Sequence, residues 1–489
     1  MKTSQSHPLL IATVPIKSGS GAIGIAFCPG KKQAFGMSGA WDRDLDIDLD
    51  AIRDWGASAV VTLVEDHELE ALKVTRMGEA VRSRHMAWFH LPIRDVDIPG
   101  AAFEAAWAEA GAGLRARLRD GSRVFIHCKG GIGRAGTIAA RLLIEMGEDP
   151  ASAIVRVRQH RKGAIETDEQ EAYVRRVVET PEPSPDTSAA AIQDRALGAL
   201  LGLATGDAVG TTVEFKVRGS FPLVTDMTGG GPFRLQPGQW TDDTAMALAL
   251  ADSLVVNSAL DEVDLMTRFV DWHECGTYSC TGECFDIGIT TSAALRRWKM
   301  TGDPVAGDTN PQSAGNGSLM RLSPVAVRHW RDRPTLRDVA ARQSRTTHAA
   351  PEAVEACVAY AEMLADAIEG RPRSEVLRNR PGTFPGKVGS LVAGSWRRKS
   401  RAEIRGSGYV VDALEASFWS VGQTGSFEEA ILAAVNLGDD ADTTGAITGQ
   451  MAGALYGASS IPEGWRKKLA WRERLEAAAK TLFLAGSGG

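Results

Sequence analysis

Two stretches of the 489-residue chain hold side chains whose types and spacing suit chemistry, and the two chemistries differ. In His127-Cys-Lys-Gly-Gly-Ile-Gly-Arg134 a cysteine precedes an arginine by six positions across a glycine-rich loop. Lys129, Gly130, Gly131, Ile132 and Gly133 can turn backbone N–H groups toward one point, and the N-terminus of a following helix adds positive potential, so a phosphate fits there. The same field favours the thiolate of Cys128, the form that attacks phosphorus. Arg134 can grip two phosphate oxygens with its planar fork, while His127 reads as a residue that orders the loop rather than as a base. The second stretch is split between Thr241-Asp242-Asp243 and Asp439-Asp440-Ala441-Asp442-Thr443. Either cluster alone reads as a helix cap. Facing one another, the two would repel unless cations lay between them, and carboxylates with threonine hydroxyls are hard ligands suited to magnesium or manganese.

The elements around the cysteine alternate between short β-branched runs, Ala59–Val64 and Val124–Ile126, and helical patterns, Ala102–Leu118 and Ala135–Met146. That alternation predicts an α/β domain, a central sheet flanked by helices, over residues 1–180. The segment Thr180–Ser188, rich in proline and serine, predicts a linker placed at 181–190, and the small-residue helical patterns beyond it predict an all-α domain over 191–489. Gly131-Ile-Gly-Arg-Ala-Gly136 also matches a dinucleotide-binding pattern, but the helical run after it lacks the strand and acidic residue such a unit needs.

With 44% hydrophobic and 24% charged residues, the composition is that of an ordinary globular protein. No apolar run is read as membrane-spanning, and the N-terminus shows no secretory pattern. Six cysteines in so long a chain do not form a disulfide framework, so reduced thiols and a cytoplasmic location are expected. Cys275, Cys280 and Cys284 are read as structural rather than as zinc ligands. A net charge of −6 makes nucleic acid a minor expectation among partners, and no membrane partner is expected.

The cysteine stretch resembles the dual-specificity cysteine phosphatases, most closely the branch containing the cyclin-dependent kinase inhibitor 3 phosphatase, over most of residues 20–180. The resemblance implies an α/β phosphatase that needs no metal, with a general acid on Leu91-Pro-Ile-Arg-Asp-Val-Asp-Ile-Pro99. Asp95 is the expected acid and Asp97 the alternative. It also implies that Thr137 steadies the departing thiolate and that Gln170 positions water.

The acidic clusters resemble those of the ADP-ribosylglycohydrolases, in particular the bacterial dinitrogenase reductase-activating type. Gly202–Gly210 with Glu214, Gly315–Arg321, Thr347-His348 and Gly408-Tyr409 carry the same resemblance. It implies that Thr241, Asp242, Asp243, Asp440, Asp442 and Thr443 hold two magnesium ions, with manganese as the other suitable metal, and that Asp440 and Asp442 serve catalysis. Glu214 is read as a gate or metal-site carboxylate, or else as an exposed solubilising glutamate. Asn316, Gly317 and Ser318 are expected on the pyrophosphate or ribose, and Tyr409 packed on the substrate. His348 is read either as a ligand contact or as a cap of the helix beginning near Pro351, and Asp207 has no definite role. Asp439 and Ala441 stand where related sequences often have Gly and Thr. Together these readings predict a bifunctional hydrolase acting on a phosphorylated substrate and on an ADP-ribosylated protein or small-molecule conjugate. The alternative is a non-enzymatic sensor or scaffold that binds phosphate and ADP-ribose groups.

Overall fold

The computed structural model describes residues 1–17, 21–35, 39–397 and 399–487. Its main division into two compact units falls between Pro183 and Ser184. In the first unit, Ala57–Thr62 and Arg123–Cys128 are buried along almost their whole length, as strands covered on both faces must be. Five strands form one sheet in the spatial order Ala12–Pro15, Ala22–Phe27, Arg123–Cys128, Ala57–Thr62, Ala87–His90. Only Ala12–Pro15, at one edge, runs antiparallel to its neighbour.

Alternation along the strands splits the core between the two faces. Val61, Val124 and Ile126 pack with Leu114 of helix Ala101–Arg119 and Ile138 of helix Gly133–Glu145, whereas Val60 and Phe125 pack with Leu49 of helix Leu45–Asp54. The central strand thus delivers Cys128 to the C-terminal edge of a mostly parallel sheet, the edge where α/β folds bind ligands.

The second unit is helical, with only isolated β-bridges among its described residues. One of its helices corrects the sequence reading: Ala189–Val213 is long and apolar enough to cross a membrane by length and composition. Its most apolar stretch is 89% buried inside the unit, which accounts for an apolar character that runs all round the helix. Gly198, Gly202, Gly206 and Gly210 recur every fourth residue along helix Ala189–Gly210 and so share one face. That face meets Gly445, Gly449 and Gly453 of helix Ala441–Tyr456 so closely that a Cβ at Gly206 would lie 2.0 Å from the Gly445 carbonyl oxygen. Any larger residue would push the two backbones apart. The close approach is what sets Asp442, at the start of the second helix, beside Asp207 near the end of the first.

Candidate functional sites

In the first unit Cys128 ends the central strand and is buried, and the Gly131 N–H donates to its Sγ at 3.2 Å. Gly131 adopts φ +66°, and a Cβ there would lie 2.3 Å from the Ala26 backbone, so only glycine lets the loop lie this flat against the neighbouring strand. Arg161 holds the loop from outside, its Nε donating to Gly131 O at 2.8 Å and an Nη to Gly130 O at 3.1 Å. With these two carbonyls held by Arg161, the Gly131 N–H is turned to the sulfur. His127 is fully buried: Trp88 donates to Thr62 Oγ1, whose hydroxyl lies 2.8 Å from His127 Nε2. Burial pushes the His127 pKa down to about 3, so the ring is neutral and anchors the strand end, in line with an ordering role.

Arg134 is 2% exposed and its guanidinium is held from three sides. Glu68 accepts in bidentate fashion at 2.6 and 3.0 Å, Ile93 O accepts at 2.9 Å, and Asp95 Oδ1 lies 2.8 Å from the second Nη. Burial works against the charge on Arg134, but Glu68, Cys128 and Asp95 outweigh it and raise its pKa. The sequence reading missed Glu68, because a glutamate on the short helix Asp66–Ala71 looks like a surface residue. The available signal was Glu65-x-x-Glu68, a capping box that fixes its side chain at the strand edge.

Asp95 and Asp97 flank Val96, which has φ +61°, and only Asp95 reaches Arg134. The Asp97 carboxylate instead accepts from Ile98 N at 2.8 Å, and its carbonyl accepts from Gln170 Nε2 at 3.2 Å. Gln170 is buried over the start of the helix, where a Cβ on Gly133 would lie 3.0 Å from Oε1. Thr137 is placed differently from its expected role: its hydroxyl donates to Gly133 O within the helix at 2.9 Å, and no hydrogen bond joins it to Cys128 among the described residues. Lys129 and Ile132 are half-buried and Gly130 is exposed.

In the second unit the acidic clusters come together as the helix ends require. Asp207 accepts from Thr241 N at 2.9 Å, Thr241 Oγ1 at 3.0 Å, Thr244 N at 3.1 Å and Thr244 Oγ1 at 2.6 Å, capping helix Asp242–Val256 from a neighbouring helix. Glu214 is 3% exposed and accepts from Ala441 N at 2.7 Å and Asp442 N at 3.0 Å, which rules out the exposed solubilising reading. Thr443 Oγ1 lies 3.4 Å from Asp243 Oδ2, and Asn316 Nδ2 donates to Asp440 Oδ2 at 2.6 Å.

Two groups of carboxylates, Asp207 with Asp243 and Asp442, and Glu214 with Asp440 and Asp442, each bring ligand oxygens within 4.8 Å of one another. Burial first, and then the neighbouring Asp442, push Asp207 and Asp440 each up to about 7. The same two causes raise Asp242 and Glu214, while Asp243 is raised by burial and then by Asp207. Asp243 Oδ1 and Asp442 Oδ2 are buried without a hydrogen-bond partner among the described residues. Crowded buried carboxylates with orphaned oxygens fit divalent cations. The geometry brings in Asp207 beside the expected Asp243, Asp440 and Asp442, and of the two readings of Glu214 it places the side chain with the carboxylate groups. Asp242 lines the adjoining cleft instead of joining either group.

A cleft of about 780 Å³ opens beside these groups, lined among others by Glu214, Asp242, Asp286, Asn316, Gly317, His348, Asp440, Asp442 and Thr443. Asp286, which the sequence reading passed over, lines the same cleft, and burial with repulsion from Asp442 pushes it up to about 11. It stands in Cys284-Phe-Asp-Ile-Gly288, a lone acidic residue with no paired carboxylate beside it in sequence. His348 lies across the loop, since a Cβ on Gly317 would meet its ring at 2.7 Å. His348 ends helix Arg333–Thr347 and does not cap the helix at Pro351, whose cap is Ala350. Two expected ligand contacts lie outside the cleft lining. Ser318 is fully buried against Ser344 Oγ at 2.8 Å, and the Tyr409 hydroxyl accepts from Lys387 at 3.0 Å and donates to Glu352.

Residues 188–488 match the ADP-ribosylglycohydrolase family, and residues 41–174 match the Swiss Army Knife protein DSP-PTPase phosphatase domain. The chain is 46% identical over 292 residues to the ADP-ribosylarginine hydrolase Tri1 of Serratia proteamaculans, covering 59% of this chain and 79% of that protein. It is 36% identical over 282 residues to the ADP-ribosyl-[dinitrogen reductase] glycohydrolase of Rhodospirillum rubrum, covering 57% and 91%. A solved structure described as an ADP-ribosylglycohydrolase-related protein complex aligns with TM-score 0.54 and 42% identity, covering 60% of this chain and 99% of that one.

Proposed function

Because this chain belongs to the ADP-ribosylglycohydrolase family and carries a dual-specificity-type phosphatase domain ahead of it, we propose that it releases ADP-ribose from modified arginine in its second unit and phosphate from esters in its first. Arginine as acceptor is supported by the 46% identity to an ADP-ribosylarginine hydrolase. The observation that carries the glycohydrolase reading is the pair of buried carboxylate groups sharing Asp442 at the edge of the cleft.

Asp207, Glu214, Asp243, Asp440 and Asp442, with the hydroxyls of Thr241 and Thr443, would hold two magnesium or manganese ions. Those ions, when bound, orient ribose hydroxyls and polarise a water. Asn316 fixes the direction of the Asp440 carboxylate, and Asp440 or Asp442 takes the proton of the attacking water. The C1″–N bond breaks, the hydroxyl joins C1″, and the departing guanidine keeps the bond's electron pair and gains a proton. ADP-ribose release from an ADP-ribosylarginine peptide, complete in magnesium and abolished by chelation, supports this reading, and release that survives chelation refutes it.

In the first unit the Cys128 thiolate attacks phosphorus, the ester oxygen leaves with a proton from Asp95, and a cysteinyl phosphate remains. Arg134 holds the equatorial oxygens while Gln170 positions the water that frees phosphate and restores the thiolate. Phosphate entering the loop takes over the Arg134 N–H that Asp95 now occupies, which frees the acid for the leaving group. A catalytic thiol works in a reducing compartment, so the cytoplasm is part of the same reading. Cys128→Ser should stop phosphate release, and persistence of turnover in that variant would remove the thiolate mechanism.

A further inference from the structure

The rim of the cleft nearest the carboxylate groups is built from two residues that the reaction itself leaves unused. Asp439 precedes Asp440 and Phe215 follows Glu214, so each stands on the rim one position away from a residue turned inward. Both are held in left-handed backbone, Asp439 at φ +59° and Phe215 at φ +61°. The Phe215 N–H donates to Asp439 O and the Asp439 N–H to Lys216 O, each at 2.8 Å. A Cβ on Gly438 would lie 2.6 Å from Lys216 O, so the two segments are wedged together and cannot slide. A bulky aromatic residue rarely adopts this backbone, and such strain persists only where the surroundings impose it.

The strained pair presents a flat ring and a charge to solvent at the cleft. Phe215 is 64% exposed and stands edge-on to Phe233 at 6.2 Å, which in turn leans on Phe285 at 5.1 Å. The Asp439 carboxylate is exposed and has no hydrogen bond or ion pair among the described residues. Arg218 lies close enough to feel its charge, but its N–H groups go to the carbonyls of Leu437, Arg401 and Ile404. Glycine is the residue that this φ favours. Aspartate there adds a charge at the expense of backbone ease.

We infer that Asp439 and Phe215 form the acceptor subsite, the carboxylate pairing with the guanidinium of the modified arginine and the ring stacking on its plane. An arginine acceptor is cationic and planar, and must leave the cleft toward solvent because it belongs to a protein or peptide. A carboxylate beside an exposed aromatic face matches both properties. A hydroxyl acceptor such as serine gains nothing from the charge. The inference rests on the arginine reading above and adds the residues that would enforce it.

The test compares the full-length chain with Asp439→Asn, Asp439→Gly and Phe215→Ala in saturating magnesium, on ADP-ribosylarginine and ADP-ribosylserine peptides of otherwise identical sequence. Asp439→Gly suits the φ and so is expected to fold. The KM for the arginine peptide should rise about three- to tenfold in the Asp439 variants with kcat held, the range of an exposed ion pair with a cation–π contact. Phe215→Ala should raise the same KM, and KM for the serine peptide should stay constant in all three. The wild-type KM for arginine should also climb with salt, and that slope should flatten in Asp439→Asn. Equal losses on both peptides would overturn the inference by making the pair part of the ADP-ribose or metal site, and so would unchanged KM values on both. A wild-type chain that hydrolyses only the serine peptide would overturn the arginine reading itself, a result distinct from either.

Discussion

The two candidate sites solve opposite electrostatic problems. Around Cys128 the charges are matched: Arg134 is clasped by Glu68 and Asp95, and the Gly131 N–H faces the sulfur. Around Asp442 they are mismatched, with buried carboxylates on three helix ends and the segment at Glu214, and two orphaned oxygens. A matched site is complete with side chains alone, whereas a mismatched one needs cations to exist in its charged form. The difference teaches that buried charge without a partner is a better pointer to a metal than the acidic residues themselves.

The sharpest way to break this comparison is to cross the sites. Cys128→Ser should reduce phosphate release more than about a thousandfold and leave ADP-ribose release intact, while Asp440→Ala with Asp442→Ala should do the reverse. Steady-state assays of both activities on each variant check it, and loss of both activities in either variant would mean the sites are not chemically independent. Next in size, Glu68→Gln should cut phosphatase kcat/KM by about ten- to a hundredfold, because Arg134 would keep only one strong partner on that side. An unchanged kcat/KM would show that the clasp does not orient Arg134.

On the other site, Gly206→Ala should destabilise the second unit by about 1–3 kcal/mol, since its methyl would press on the Gly445 carbonyl. Calorimetry should place the loss in the second unit's transition, and an unshifted transition would mean the helices relax freely. A pH effect concerns His127, whose folded pKa is depressed to about 3. Between pH 6.5 and 3 the unfolded chain binds the proton that the folded chain refuses, so the first unit loses stability as pH falls through that window. His127→Gln should flatten that slope in acid-unfolding curves, and an identical slope would remove the buried neutral ring as its cause.

How far the sequence disclosed each site follows from how it is assembled. Cys128 to Arg134 is one contiguous stretch whose strand, loop and helix are local, so its shape was readable from spacing. The clasp on Arg134 was not, because Glu68 reaches it from a different strand end and carries no mark of burial in sequence. The carboxylate groups were half legible: Asp440 and Asp442 announce a helix start and Glu214 was a candidate metal-site carboxylate, but Asp207 joins only through the glycine contact between two helices distant in sequence. Ser318 and Tyr409 show the limit in the other direction, since adjacency to Asn316 and Gly408 put them near the cleft while their side chains turn to Ser344 and Glu352. The helix Ala189–Gly210 is buried all round because glycines recurring every fourth residue let helix Ala441–Tyr456 approach one face, a packing that no single stretch of sequence discloses.

The proposed function joins a metal-dependent hydrolase and a metal-independent one in one chain. The most direct test is a single preparation of the full-length protein assayed for both ADP-ribose release from an ADP-ribosylarginine peptide and phosphate release from a phosphotyrosine peptide, before and after chelation and again after magnesium is restored. Chelation should abolish the first and leave the second untouched, and magnesium should restore the first alone. ADP-ribose release that survives chelation, or phosphate release that falls with it, would contradict the proposed function.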